Sequence, residues 1–192
     1  MSYYLSGPRT REVSVQHRGV LSNYDITHLL KYIATQTTTE GKLSDGKTSS
    51  EIRRSRVFFI PVNDDTRWVY DKIGLFIVDS NEKNFGFDIK AVQFIQYTEY
   101  HDTDSGTYDD HIDWVPKTIN PRKLSMSIQL TDGADYDGGD LHLKLNSQHP
   151  RIASREKGDA ILFPSWILHG VTPVTRGVRK SLVIWAEGPE WK

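Results

Sequence analysis

Apolar residues recur at helical spacing near the start of the chain and at strand spacing in its second half. Ile26, Leu29, Leu30 and Ile33 fall at i, i+3, i+4 and i+7, which marks one face of a helix. Ser22, Asn23 and Asp25 stand at its start and are residue types that accept hydrogen bonds from the unpaired N–H groups of a helix N-terminus. A second helix is expected after Asp64-Asp65, turning Val69, Ile73 and Phe76 inward. Between the two, Thr35 to Ser55 is polar and rich in Gly, Ser and Thr, and reads either as a solvated loop or as a lid. From Lys90 onward, short strand-like runs alternate with Gly, Asp and Pro turns: Ala91 to Tyr100, Leu124 to Leu130, Leu141 to Leu145, Ala160 to Phe163 and Ser181 to Trp185. That spacing predicts a sandwich or a jelly roll, mainly β with flanking N-terminal helices, an α+β chain whose helices buttress one sheet. No Pro- or Gly-rich linker interrupts it. A single domain over residues 1–192 is expected, with helical support over roughly 20–80 and a jelly-roll core over roughly 88–188.

Composition narrows the chemistry. The net charge is -1, from 24 basic and 25 acidic residues, so no global field draws the chain to nucleic acid or to a membrane surface. Cysteine is absent, so any metal must be held by imidazole and carboxylate. The opening MSYYLSGPRTREVS lacks the apolar run of a signal peptide. Val57-Phe58-Phe59-Ile60, among the longest apolar stretches, is far short of the roughly 20 residues that span a bilayer. A cytoplasmic protein is expected.

His111-Ile112-Asp113 is where that chemistry concentrates. On an extended strand residues i and i+2 share a face, so imidazole and carboxylate can meet on one ion while Ile112 points the other way, into the core. The tripeptide alone is weak, since both side chains could simply be hydrogen-bonded at a strand end. His169 follows 56 residues after Asp113, behind Gly158-Asp159-Ala160-Ile161-Leu162-Phe163-Pro164-Ser165. Two histidines and one carboxylate on one face leave three coordination positions open, the arrangement of non-heme Fe(II) oxygenases, with room for a bidentate co-substrate and O2. Ten residues beyond His169, Arg179 and Ser181 share a strand face and lead into Leu182-Val183-Ile184-Trp185. A guanidinium and a hydroxyl placed so can grip one carboxylate, such as the distal carboxylate of 2-oxoglutarate. Lys180, on the opposite face, is expected in solvent.

In order along the chain, Ile95-Gln96 to Tyr100, Tyr108-Asp109-Asp110-His111-Ile112-Asp113, Arg122-Lys123-Leu124-Ser125, Asp135-Tyr136-Asp137-Gly138-Gly139-Asp140-Leu141 and Phe163 to Arg179 resemble the prolyl 4-hydroxylase-like branch of the 2-oxoglutarate/Fe(II)-dependent dioxygenases. The similarity runs over roughly residues 55–188 and is weakest before Arg53. The resemblance implies a double-stranded β-helix (jelly roll) with Fe(II) on His111, Asp113 and His169, and 2-oxoglutarate on Arg179 assisted by Ser181. It also implies Tyr100 as a hydrogen-bond partner of the co-substrate. Gln129 falls where several relatives carry a second co-substrate tyrosine, and its amide could donate instead. O2 would be the oxidant, ascorbate a possible reductant, and succinate and CO2 the co-products of hydroxylating an unactivated C–H bond. Asp113 argues against a halogenase, in which loss of the carboxylate opens a position for halide.

A peptidyl prolyl residue is the substrate the resemblance favours. A free amino acid or other small molecule stays open, as does a non-catalytic metal-binding jelly-roll module. Other features read more plainly. Asp102 to Asp110 lacks the ligand spacing of a calcium loop and is an acidic turn, although Asp109 and Asp110 could face a cationic substrate. His101, His142 and His149 have no partner at metal-ligand spacing, and Asp137-Gly138-Gly139-Asp140 is a tight turn. Trp185 could pack near the co-substrate or in the core.

Overall fold

A computed structural model describes residues 12–42, 50–114, 118–145 and 149–190. The first apolar stripe forms helix α1, Asn23–Ile33, with Ile26, Leu29 and Ile33 buried and Leu30 half-buried. Ser22 is its N-cap: the hydroxyl accepts from Asp25 N (3.1 Å) and the Asp25 carboxylate accepts from Ser22 N (2.7 Å). This reciprocal pair satisfies two otherwise unpaired donors. Asn23 is the first helical residue and not the cap. Helix α2, Arg67–Ser80, buries Val69, Ile73 and Ile77. Phe76 was expected inward, but the i, i+4, i+8 row passes through Ile77. Phe76 lies beside that row, half-buried and edge-on to His17 with ring centroids 4.7 Å apart. Lys72 of α2 reaches Asp25 of α1 at 2.6 Å and ties the two helices together.

Among the described residues, a major sheet runs in the order Val15–His17, Ala160–Pro164, Arg122–Gln129, Val178–Glu187, Ala91–His101, Arg56–Ile60 and Thr39–Glu40. A minor sheet runs Arg151–Ile152, Leu141–Leu143, His169–Val171, Thr107–His111 and Arg53–Arg54. Every strand pairing among the described residues of the two sheets is antiparallel, as a jelly roll requires. The helices cover the outer face of the major sheet, where Ile26, Ile73, Ile95, Leu124, Ile128, Leu182 and Ile184 form one buried cluster.

Strand periodicity then decides which residues face the other way. In Val178–Glu187, Leu182 and Ile184 pack under the helices, so Arg179, Ser181, Val183 and Trp185 turn inward and line a cavity. In Arg122–Gln129, Leu124 and Ile128 likewise point outward while Ser125 and Ser127 line the cavity. The Thr35–Ser55 stretch is more ordered at its ends than a loop: Thr39–Glu40 and Arg53–Arg54 add edge strands to the major and minor sheets. Its residues 43–49 lie outside the described residues. Asp137-Gly138-Gly139-Asp140, expected as a tight turn, instead puts Asp137–Gly138 in a short strand paired with Val174–Arg176; Gly138 has φ +68°, and a Cβ there would run into the Pro173 carbonyl oxygen.

Candidate metal and co-substrate site

His111 is the last residue of its strand and His169 the first of the neighbouring one, and the two are direct cross-strand partners. A single antiparallel pairing therefore brings together residues far apart in sequence, with imidazole centroids 4.3 Å apart. His111 Nδ1 lies 2.8 Å from the Asp109 carbonyl, and His169 Nδ1 lies 2.9 Å from the Ile167 carbonyl. Donation of Nδ1–H to these carbonyls leaves each Nε2 with its lone pair free. Asp113 completes the group: one ligand atom from each residue lies within 4.8 Å of the others. Tyr108 stacks on His111 at 3.7 Å and Phe163 meets His169 edge-on at 4.7 Å, so an aromatic side chain fixes each ring.

Asp113 arrives differently from the expected strand geometry. The strand ends at His111, and the chain turns so that Asp113 N and Trp114 N both donate to the Ser165 carbonyl at 2.9 Å. Ile112 is consequently 43% exposed and lies on the cavity lining, not in the core. Asp113 itself is buried, and Ser125 Oγ donates to its Oδ2 at 2.6 Å while contacting Ser165 Oγ at 3.0 Å. Burial alone would raise the Asp113 carboxyl, but His169, His111, Ser125 and the Trp185 indole outweigh it and hold it below its ordinary value. Burial and the neighbouring His169 press His111 down to about 4. A charged carboxylate beside a neutral imidazole is the state in which both bind a cation, so the donor set fits a divalent transition metal.

The triad borders a cavity of about 490 Å³ whose lining includes Arg179 and Ser181. Both are buried, and Arg179 Nη1 points to Ser181 Oγ at 3.4 Å, as the shared strand face predicts. Lys180, expected in solvent, is half-buried, opposite Glu99 in the sheet register. Tyr100 is Arg179's cross-strand partner, with the guanidinium 5.6 Å from its ring centroid, but it packs into the cluster of Leu143, Ile161 and Phe163 and is not on the cavity lining. Gln129 is also absent from that lining: its amide nitrogen donates to the Tyr136 hydroxyl (2.7 Å) and to the Thr131 carbonyl (3.3 Å). Gln96 and Tyr108 stand in the cavity wall instead.

Other sequence candidates fall into place. Asp110 is held by His142 at 2.7 Å and by Lys144, so its charge is matched within the chain and not turned to a cationic substrate. His101 lies between Glu99 (2.8 Å) and Arg56 (3.1 Å), away from the triad. Trp185 lines the cavity with its ring under Arg122, whose Cζ is 4.0 Å from the ring centroid. Tyr108, Arg122 and Ser125 enter the sequence reading only within stretches that resemble the family, with no role assigned, and Arg53 only as the point before which that resemblance is weakest. Arg53 sits in a polar stretch with no periodic signal, and only its pairing opposite Tyr108 brings it to the site.

Residues 93–187 match the family model described as the 2OG-Fe(II) oxygenase superfamily, and that span contains the triad and Arg179. The chain belongs to the 2OG-Fe(II) oxygenase superfamily. It is 24% identical over 181 residues to the PKHD-type hydroxylase YbiX of Shigella flexneri, covering 88% of this chain and 76% of that protein. A PKHD-type hydroxylase of Colwellia psychrerythraea is 40% identical over 85 residues, a match to 43% of this chain and 38% of that protein's length. The oxygenase fold is shared with a prolyl hydroxylase from Trichoplax adhaerens, solved with a hypoxia inducible factor peptide fragment, at a TM-score of 0.76 and 16% identity over 91% of this chain and 83% of that one. A Pseudomonas putida prolyl-4-hydroxylase superposes at 0.73 with 17% identity, over 93% of this chain and 94% of that one. Membership of the oxygenase family implies Fe(II) and 2-oxoglutarate. Among the described residues no helix is long and apolar enough to cross a membrane.

Proposed function

We propose that this oxygenase hydroxylates an unactivated C–H bond of a peptidyl prolyl residue, with His111, Asp113 and His169 holding Fe(II) and Arg179 with Ser181 holding 2-oxoglutarate. The observation that carries this reading is the placement of triad and anchor on one cavity, with both imidazole Nε2 atoms free beside a charged carboxylate. Iron, 2-oxoglutarate and O2 supply the oxidising chemistry, with succinate and CO2 as co-products and ascorbate as the reductant that keeps iron ferrous. The protein's part is position and charge. Backbone carbonyls of Asp109 and Ile167 orient the imidazoles, and Ser125 orients the Asp113 carboxylate. Arg179 neutralises the far carboxylate in a buried setting where a charge-assisted pair is strong. Phe163, Val171, Leu141 and Trp185 keep the wall apolar, which limits water at the reacting carbon.

The prolyl hydroxylase folds at high structural similarity support a peptide substrate. A free amino acid or other small molecule is the second reading, favoured by a cavity of about 490 Å³ that must hold co-substrate and substrate together. Mass spectrometry for one added oxygen across proline-containing peptides and free amino acids separates the two. Oxygen gained by peptides supports the prolyl reading, and oxygen gained by free amino acids alone ends it.

A further inference from the structure

The cavity carries more positive charge than the proposed iron and co-substrate account for. Its charged lining is Lys42, Arg53, Arg122 and Arg179 against Glu40 and Asp113. On the proposed reading, Fe(II) and Arg179 bring three positive charges, and Asp113 with the two carboxylates of 2-oxoglutarate brings three negative ones. Arg53, Arg122 and Lys42 then face Glu40 alone, and Glu40 and Lys42 are exposed and screened by water.

Arg53 and Arg122 are more enclosed. Arg53 is 6% exposed, and its hydrogen bonds run to neutral acceptors, Ser55 Oγ (2.7 Å) and the Lys42 carbonyl (2.8 Å). Arg122 is half-buried and lies flat on Trp185. Among the described residues its one hydrogen bond is from Nε to Gln93 Oε1 (2.9 Å), and Gln93 in turn occupies Glu187 at 2.6 Å. Among the described residues neither terminal nitrogen of Arg122 has an acceptor, and no carboxylate is in ion-pair contact with it. Asp113 and Glu187 attract it only from beyond ion-pair distance, so this partly desolvated guanidinium gains from an anion that pairs with it directly. Both arginines stand in the wall of the cavity that the triad borders. Beside them Phe59, Phe94 and Trp185 form an edge-to-face series, at 5.0 and 5.6 Å, suited to a carbon skeleton.

We propose that the substrate of this oxygenase carries a carboxylate near its oxidised carbon, received by Arg122 in the field of Arg53. The inference rests on the oxygenase reading and narrows it to acidic substrates, whether a small acid or a peptide with a carboxylate beside the target residue. Matched pairs test it on full-length protein loaded with Zn(II) and 2-oxoglutarate, which cannot turn over. The small-molecule arm compares N-acetyl-L-proline with N-acetyl-L-prolinamide. The peptide arm compares capped Pro-Glu with capped Pro-Gln peptides, all by ligand-observed NMR.

The acid of at least one pair is expected to bind about tenfold more tightly than its neutral partner, the worth of one charge-assisted contact. The arm that shows the preference identifies the source of the carboxylate. Arg122→Gln is expected to erase the preference, and Arg122→Lys, which keeps the charge but not the fork, to retain part of it. Equal binding within both pairs, no binding by either acid, or a preference that survives Arg122→Gln would overturn the proposal. So would an Arg122→Gln defect confined to 2-oxoglutarate affinity. Failure of the oxygenase reading is separately visible, as wild-type protein that does not bind 2-oxoglutarate at all.

Discussion

Arg179 and Ser181 sit in a ten-residue strand hydrogen-bonded on both sides within the major sheet, whereas His111 and His169 sit at the ends of strands of five and three residues in the minor sheet. The anchor inherits its position from a long ladder and from the helices packed behind it. The triad depends on one cross-strand pair, a bend at Asp113 and a handful of side-chain hydrogen bonds. Damage to the first region should therefore appear mainly in folding and co-substrate binding. Damage to the second should appear in metal binding while the fold persists.

The strongest break is Asp113→Ala. Succinate formation is expected to disappear and metal affinity to collapse, with the far-ultraviolet circular dichroism spectrum retained. On the other side, Leu182→Ala removes a fully buried contact between sheet and helices and is expected to cost about 2–5 kcal/mol of stability, read by urea unfolding. Arg179→Gln should cost about 2–5 kcal/mol of 2-oxoglutarate binding, at least about thirtyfold in Kd by calorimetry, while metal affinity stays near wild type. Retained co-substrate affinity in that variant would place the anchor elsewhere.

Ser125→Ala sharpens the contrast because Ser125 belongs to the major sheet yet acts on the triad through Asp113. Metal affinity is expected to fall about 10–100-fold, with rescue by Ser125→Thr, in a Co(II) titration followed by its visible spectrum. The smallest effect lies at the helices, far from both. Asp25→Ala removes the capping-box partner and the contact to Lys72, for about 1 kcal/mol. Burial raises the Asp25 carboxyl, but Lys72 and Ser22 prevail and hold it below its ordinary 3.8. Its stabilisation is therefore complete above that value and is lost as pH falls through the lower folded one. An Asp25→Asn variant should lose less stability than wild type between pH 5 and pH 2, in acid titrations of unfolding, an interval of about the width expected for a carboxyl.

The same division explains what could be read in the sequence. Helix α1 and the inner strands were legible because their apolar periodicity is set locally, down to the Ser22–Asp25 pair. Arg179 and Ser181 followed from period 2 on a strand that does exist. Ile112 misled because i, i+2 logic presumes that the strand continues past His111, and the bond to Ser165 ends it. Phe76 was displaced by Ile77 because several apolar residues in α2 satisfy helical spacing and only packing selects the row. Arg53 carried no signal, and Arg122 and Ser125 none beyond their place in a stretch that resembles the family. Each acquires its place through pairings between distant segments, Arg53 with Tyr108 and Ser125 opposite Trp185, which periodicity does not encode. Tyr100 and Gln129 sit close to the anchor, yet their side chains are committed to Phe163's cluster and to Tyr136.

The central claim is that one cavity joins a metal triad to a carboxylate anchor. Uncoupled 2-oxoglutarate turnover with Fe(II) and ascorbate, followed as succinate, tests it most directly in wild type, Asp113→Ala and Arg179→Gln. Succinate from wild type, none from Asp113→Ala, and turnover from Arg179→Gln recovered only at raised 2-oxoglutarate is the expected pattern. Wild-type succinate formation undiminished in Asp113→Ala would contradict the assignment.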